Sequence, residues 1–155
     1  MMSLGCEFSS SVIQGVGSFL PKKNIDNIEL SKRVDTSDEW ITSRTGIKAR
    51  RIAEKEQATS DLALEAARAA LADAGMRPED IDLVVVATIT PDMAFPSTAC
   101  LLQDKLGIPK VCCFDIEAAC SGFLYALDVA DGMLSSNRYK CALVVGAEKL
   151  SSIMD

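Results

Sequence analysis

The run Ile81-Asp82-Leu83-Val84-Val85-Val86-Ala87-Thr88-Ile89-Thr90 is apolar or β-branched at nearly every position. A strand wetted on one face alternates apolar and polar residues, whereas one without alternation is covered on both. Burial on both faces is the condition of a parallel sheet packed between helices, so this segment demands helical partners before and after it. The flanking sequence supplies them. Leu62, Ala66, Ala70, Leu71 and Ala74 make an apolar stripe at helical spacing, with Ser60 expected as its cap and Gly75 as its left-handed stop. Beyond Pro91, Ser97 is placed to cap a helix over Thr98 to Leu106 that Gly107 closes, with Pro109 following.

The pattern then repeats. Val111 to Ile116 reads as a second buried strand, Ser121 to Ser135 as a helix, and Cys141 to Ala147 as a third strand. Upstream, Ser11 to Leu20 reads as a first strand, with Val12, Ile13 and Val16 around Gly15 and Gly17 and an end at Pro21. Asn27 is expected to cap a short helix through Arg33 with Ile28, Leu30 and Val34 on its buried side. Asp35 to Arg51 is expected to give a short helix and then an irregular, ligand-facing stretch. Strands alternating with helices imply an α/β layered fold with a mostly parallel sheet. At 155 residues and 48% hydrophobic content the chain has enough apolar material for one domain with a proper core. It stops at Asp155 soon after a strand, with no helix to close the layer, and a further polypeptide segment is expected to complete it.

Charge and composition exclude several functions. A formal net charge of -6 opposes nucleic-acid binding, which calls for a basic stripe. No apolar run reaches the roughly 20 residues of a membrane helix. Met1 to Ser11 has neither the basic start nor the long apolar centre of a secretory signal, so a cytoplasmic location is expected. Of six cysteines, none forms a C-x-x-C pair and there is no histidine, so no metal site is expected. Cys6, Cys100, Cys112, Cys113 and Cys141 read as reduced, small core residues, with Cys112 and Cys113 on opposite faces of a strand.

Cys120 reads differently. It lies in Phe114-Asp115-Ile116-Glu117-Ala118-Ala119-Cys120-Ser121-Gly122-Phe123, where a strand hands over to a helix with small residues on both sides. A helix N-terminus presents unused N–H groups and a partial positive charge, which favour a thiolate. Nucleophile and small packing residue are both open readings at this point, since free cysteine is so often simply buried. Gly15-Val16-Gly17 fails as a dinucleotide fingerprint, because Leu20 stands where the third glycine is needed and Pro21 follows. Relief of crowding is the better reading. Arg44, Lys48, Arg50 and Arg51 form a basic stretch one helical turn after Trp40, and a Trp–Arg pair can hold a flat base while nearby cations meet phosphates. Phe95, between Ala94 and Pro96, is a lone aromatic in a loop that either plugs its own core or projects into a neighbour.

Three of these segments together resemble the β-ketoacyl-acyl-carrier-protein synthase III family of condensing enzymes. They are Asp35 to Ile47 (DTSDEWITSRTGI), Ala118 to Phe123 (AACSGF) and Ala94 to Ser97 (AFPS), within a similarity that runs from about Val12 to the end. The resemblance implies a thiolase-like fold in which two α/β halves form five α-β-α-β-α layers. The chain matches the N-terminal half, as a single half-domain over residues 1–155, with the C-terminal half absent. It implies that Cys120 accepts the acyl group and that Trp40, Arg44 and Thr45 lie at the adenine of coenzyme A. Phe95 would then enter the partner subunit's acyl pocket in a homodimer. Acyl-coenzyme A, most simply acetyl-coenzyme A, and malonyl-acyl-carrier protein are the implied substrates, the latter by decarboxylative condensation that initiates fatty acid synthesis, with no separate cofactor. The family's catalytic histidine and asparagine belong to the second half, so the chain alone is expected to be inactive. A non-catalytic scaffold and a coenzyme A or nucleotide-binding module are the competing readings.

Overall fold

The computed structural model describes residues 11–154, and Cys6 lies outside them. The chain divides into two compact units, one of residues 20–57 with 149–154, the other of residues 11–19 with 58–148.

The first unit opens with β1 (Lys23–Asp26), passes through α1 (Asn27–Ser31) and α2 (Asp38–Thr45), and returns along β2 (Ala49–Ile52). β1 and β2 pair antiparallel, with Ile25 opposite Arg50. β2 takes the end of the stretch expected to be irregular before Arg51, leaving only residues 46–48 without regular structure. The two strands read KNID and ARRI, too short and too polar to announce themselves. The cap of α1 is Asp26, whose carboxylate accepts from Glu29 N–H at 2.7 Å, and not Asn27. Asn27 is instead the first helical residue and is buried, whereas Ile28 and Val34, expected inside, are exposed. α2 has the order that capping rules ask for. Ser37 Oγ accepts from Trp40 N–H at 3.1 Å, Asp38 and Glu39 fill the first turn, and Gly46 ends the helix in a left-handed conformation.

The second unit is a three-layer sandwich. After α3 (Thr59–Ala74) come β3 (Leu83–Ala87), α4 (Thr98–Leu106), β4 (Cys112–Ile116), α5 (Gly122–Ser135) and β5 (Ala142–Gly146). The strands form a parallel sheet in the order β4-β3-β5, with Val85 opposite both Phe114 and Val144. β3 is central, and every residue of it is buried. Val84 and Val86 face a core with Ala63, Ala67, Leu71, Ala99 and Leu102 of α3 and α4. Leu83, Val85 and Ala87 face the opposite way, toward Ala126 and Ala130 of α5. Cys113 joins the first cluster and Cys112 the second, as their adjacency in a strand requires.

Two expectations for this unit need correction. Thr59, not a residue after Ser60, opens α3, and buried Ser60 donates its N–H to Asp92 at 2.8 Å. Residues 11–20 form no strand. The segment lies along α3, and a Cβ on Gly17 would come within 2.3 Å of Ala66 O and Ala70 N. The alternation that suggested a strand belongs to a segment pressed on a helix. The alanines at 66, 70 and 74 are the floor that admits it, so the glycines do relieve crowding, against a helix and not within a sheet.

Candidate active site

In an open parallel sheet the loops that leave the strand C-termini carry the chemistry, because the helix N-termini converge there. Cys120 leaves the C-terminal end of β4 on that edge. The descent from strand to helix is abrupt: Ala118 has φ -151° and ψ 26°, and Ala119 is held at φ 44°. A non-glycine residue with positive φ is sparsely populated, and such strain persists only where the surroundings impose it. Here the imposing contact is the first turn of α5. Gly122 is buried, and a Cβ there would lie 3.2 Å from the Ala87 methyl, so the helix is drawn down onto β3.

The result is a cysteine that is exposed, not packed away. Ser121 N–H donates to Ala118 O at 3.0 Å and Gly122 N–H to Ala119 O, so both donors are engaged in the turn. Cys120 N–H reaches no backbone carbonyl among the described residues. An N–H left in this way can donate to an oxyanion. The other thiols contrast with it. Cys100, Cys112, Cys113 and Cys141 are half-buried and unpaired. Burial, reinforced by Cys100 and Cys112, pushes the Cys113 thiol up to about 11. Burial also raises that of Cys141, with Asp82 and Asp80 adding to it.

Carboxylates brace this edge of the second unit. Asp115 accepts from Thr98 N–H at 2.7 Å and Ala99 N–H at 2.8 Å, fixing the start of α4 from within β4. Glu148 accepts from Ile89 N–H at 2.9 Å and from the hydroxyl of Thr90, which fixes the loop after β3. Sequence reasoning assigned neither residue a role, because a carboxylate's partner across the fold has no local signature. Phe95 projects from this same β3–α4 loop and is 87% exposed, so it is not packed into the core formed by the described residues.

In the first unit, Arg44 Cζ lies 4.5 Å from the centroid of the Trp40 ring, a cation–π contact delivered by their four-residue spacing on α2. The ring is half-exposed and borders an open depression of about 580 Å³ lined by Val34, Asp35, Thr36 and Ser37. Thr45 uses its hydroxyl locally, donating to Ile41 O at 2.7 Å and accepting from Ile47 N–H at 3.1 Å. The rest of the basic stretch is not a patch of idle cations. Arg50 donates to Asn27 Oδ1, Arg51 to the carbonyls of Pro21 and Lys22, and Lys48 to Thr42 Oγ1. Asn27, expected only as a helix cap, is the buried amide to which Arg50 donates. No cluster among the described residues has the three or more acidic, thiol or imidazole ligands of a metal site. None of their helices is long and apolar enough to cross a membrane.

Comparison with known proteins bears directly on this geometry. Residues 114–155, which begin in β4 and contain the Cys120 turn, match the model of the 3-oxoacyl-[acyl-carrier-protein] synthase III family. The β-ketoacyl-[acyl-carrier-protein] synthase III of Caldanaerobacter subterraneus subsp. tengcongensis is 55% identical over 150 residues, 97% of this chain and 45% of the relative. The chain belongs to this family. The crystal structure of the Aquifex aeolicus 3-oxoacyl-[acyl-carrier-protein] synthase III superposes with a TM-score of 0.89 at 53% identity, covering 95% of this chain and 47% of that one. The Pseudomonas aeruginosa synthase III gives the same TM-score at 41% identity, covering 95% and 45%. The α/β fold is thus that of the thiolase-like condensing enzymes. The chain spans about half the length of the relatives it matches.

Proposed function

We propose that this chain is the cysteine-bearing N-terminal half of a β-ketoacyl-acyl-carrier-protein synthase III. The observation that carries the reading is an exposed thiol on a strained turn at the C-terminal edge of a parallel sheet, within the segment that matches the family model. In the first step, Cys120 Sγ attacks the thioester carbonyl of an acyl-coenzyme A. The tetrahedral oxyanion is met by Cys120 N–H, and coenzyme A leaves as its thiol. Malonyl-acyl-carrier protein then loses carbon dioxide, and the carbanion so formed attacks the Cys120 thioester. The β-ketoacyl product departs on the carrier protein and the cysteine is restored.

Trp40 and Arg44 are assigned to the adenine end of coenzyme A, with Thr45 beside them, and Phe95 to the acyl pocket of a second copy in a homodimer. The groups that stabilise the carbanion come from the remaining half of the protein, as the family resemblance implies. That half also covers the outward face of α5, where Phe123, Leu124 and Tyr125 are exposed. A cytoplasmic location accords with substrates of this kind. The test is acetylation by isotopically labelled acetyl-coenzyme A in the full-length protein, followed by peptide mapping. A thioester on Cys120 that disappears in Cys120→Ala is the expected result. Labelling that persists in this variant, or none in the wild type, rejects the assignment.

A further inference from the structure

The pair assigned to the coenzyme A adenine rides on a helix with little to hold it. Of the eight residues of α2, only Ile41 is buried, so apolar packing alone does not fix how the helix is set. What holds it is one side chain outside it. Asn27, 1% exposed, donates from Nδ2 to Asp38 Oδ1 at 2.7 Å and to Ile47 O at 2.8 Å. Asp38 is the first residue of α2, and Ile47 follows the glycine that ends it. The Asn27 Oδ1 in turn accepts from Arg50 Nη2 of β2 at 2.9 Å. Two acceptors at one end of the amide and a guanidinium at the other leave no freedom to exchange its oxygen and nitrogen. Asp38 Oδ1 also accepts from Thr42 Oγ1 at 3.1 Å, and Thr42 Oγ1 from Lys48 Nζ at 3.1 Å, which carries the network along the helix.

We propose that Asn27 is a positioning residue for the Trp40–Arg44 pair, an amide clamp that grips both ends of α2 and so sets where the indole and guanidinium meet a ligand. The role rests on the coenzyme A reading above for its ligand, but the clamp itself does not. Only asparagine meets the requirement at this position. Aspartate would set two carboxylates against each other and lose both donors, and alanine would leave Arg50 and Ile47 without their partner.

Trp40 is the only tryptophan of these 155 residues, and the difference between wild type and Trp40→Ala isolates its fluorescence from any other indole of the full-length protein. Acrylamide quenching and anisotropy decay are read well below the unfolding transition, beside titration with coenzyme A, for wild type, Asn27→Ala, Asp38→Ala, Asp38→Asn and Trp40→Ala. Asn27→Ala and Asp38→Ala should loosen Trp40. They should raise the coenzyme A Kd about tenfold, the equivalent of one good hydrogen bond. Asp38→Asn keeps an acceptor oxygen and should restore both readouts to within about twofold of wild type. Asn27→Ala added to Trp40→Ala should weaken binding no further. Trp40 motion and affinity that stay at wild-type values in both alanine variants overturn the clamp. Should Asn27→Ala fail to fold, Asp38→Ala, which removes a single arm, decides the matter. A wild-type protein that does not bind coenzyme A overturns the functional reading instead, and Trp40 mobility still judges the clamp.

Discussion

Val85 and Asn27 are equally hidden from water, at 0% and 1% exposure, for opposite reasons. Val85 lies mid-strand between two helical layers, and its surroundings are hydrocarbon. Asn27 is a polar side chain whose every donor and acceptor is matched. Each typifies its unit. The unit with Cys120 buries an unbroken strand and the helices on it, whereas in the unit with Trp40 only Ile25, Ile41 and Asn27 are buried among the described residues. Apolar burial is roughly proportional to area and indifferent to direction, so it makes a stiff platform for a nucleophile. A polar network is directional, contributes little net stability per bond, and is costly when half broken. It suits a surface that must present two side chains at a fixed angle.

The largest expected effect tests the first half of this contrast. Leu102→Ala empties a site that is 0% exposed within the α3–α4 core and should cost about 2–5 kcal/mol. Leu102→Met, which conserves volume, should cost less than about 1.5 kcal/mol. Urea unfolding followed by far-UV circular dichroism measures both. If the two variants fall equally, packing is not what holds that unit. Next comes Gly17→Val, whose Cβ would collide with the backbone of α3 at 2.3 Å. Neither Ala66 O nor Ala70 N can move without breaking helical bonds, so about 3 kcal/mol is expected, the upper end for overpacking.

These two positions also mark how far the sequence could be read. The β3 strand, the Gly75 and Gly107 stops of α3 and α4, and α5 were legible because burial on both faces and helical spacing leave a periodic trace. Cys120 was legible for a related reason, since the strand-to-helix exchange around it is a change of period. Gly17 was half legible. Its crowding could be inferred, but what crowds it is α3, some fifty positions further on, and a segment laid on a helix reads as a strand when taken alone. Asn27 was not legible. Its partners Asp38, Ile47 and Arg50 are scattered over the following segment, and nothing periodic connects an amide to them. Arg50 was accordingly read as part of a free basic stretch when it is a strut. Polar networks leave no pattern in one dimension, which is why the strand-to-helix turn around Cys120 could be placed from the sequence and the Asn27 network could not.

Breaking the clamp should therefore be milder than emptying the core, yet larger than its small size suggests. Asn27→Ala leaves the Arg50 guanidinium and the Ile47 carbonyl without their bonds, for about 2 kcal/mol. Asn27→Leu, similar in volume and apolar, should do no better. In the other unit the apolar residue is the one that counts. A leucine that restored stability at this position would erase the distinction between the two units. Chemical denaturation monitored through Trp40 makes the comparison.

The smallest effects lie at the two extremes of pH. Asp38 has its pKa lowered, first by the bond from Asn27, then by Thr42, with Lys48 adding its field. A carboxylate depressed on folding stabilises above its unfolded value of 3.8 and loses that contribution as pH falls through the folded one. Asp80 and Asp131 of the other unit are lowered as well, so acid sensitivity alone decides nothing. What decides is whether Asn27→Ala removes the acid-side change in Trp40 fluorescence while leaving the acid-side change in helicity. Cys113 behaves inversely. Its thiol is raised from 9.0 to about 11, so the folded state holds a proton that the unfolded state has already lost. Stability is full below pH 9 and declines toward pH 11, because there the unfolded chain binds fewer protons. Cys113→Ala should flatten part of that alkaline slope and leave the acid limb untouched. Cys141 and Tyr139 are raised in the same direction and act on the same limb. An acid limb that moved with Cys113, or an alkaline limb that moved with Asn27, would show that the two units do not answer to separate chemistry.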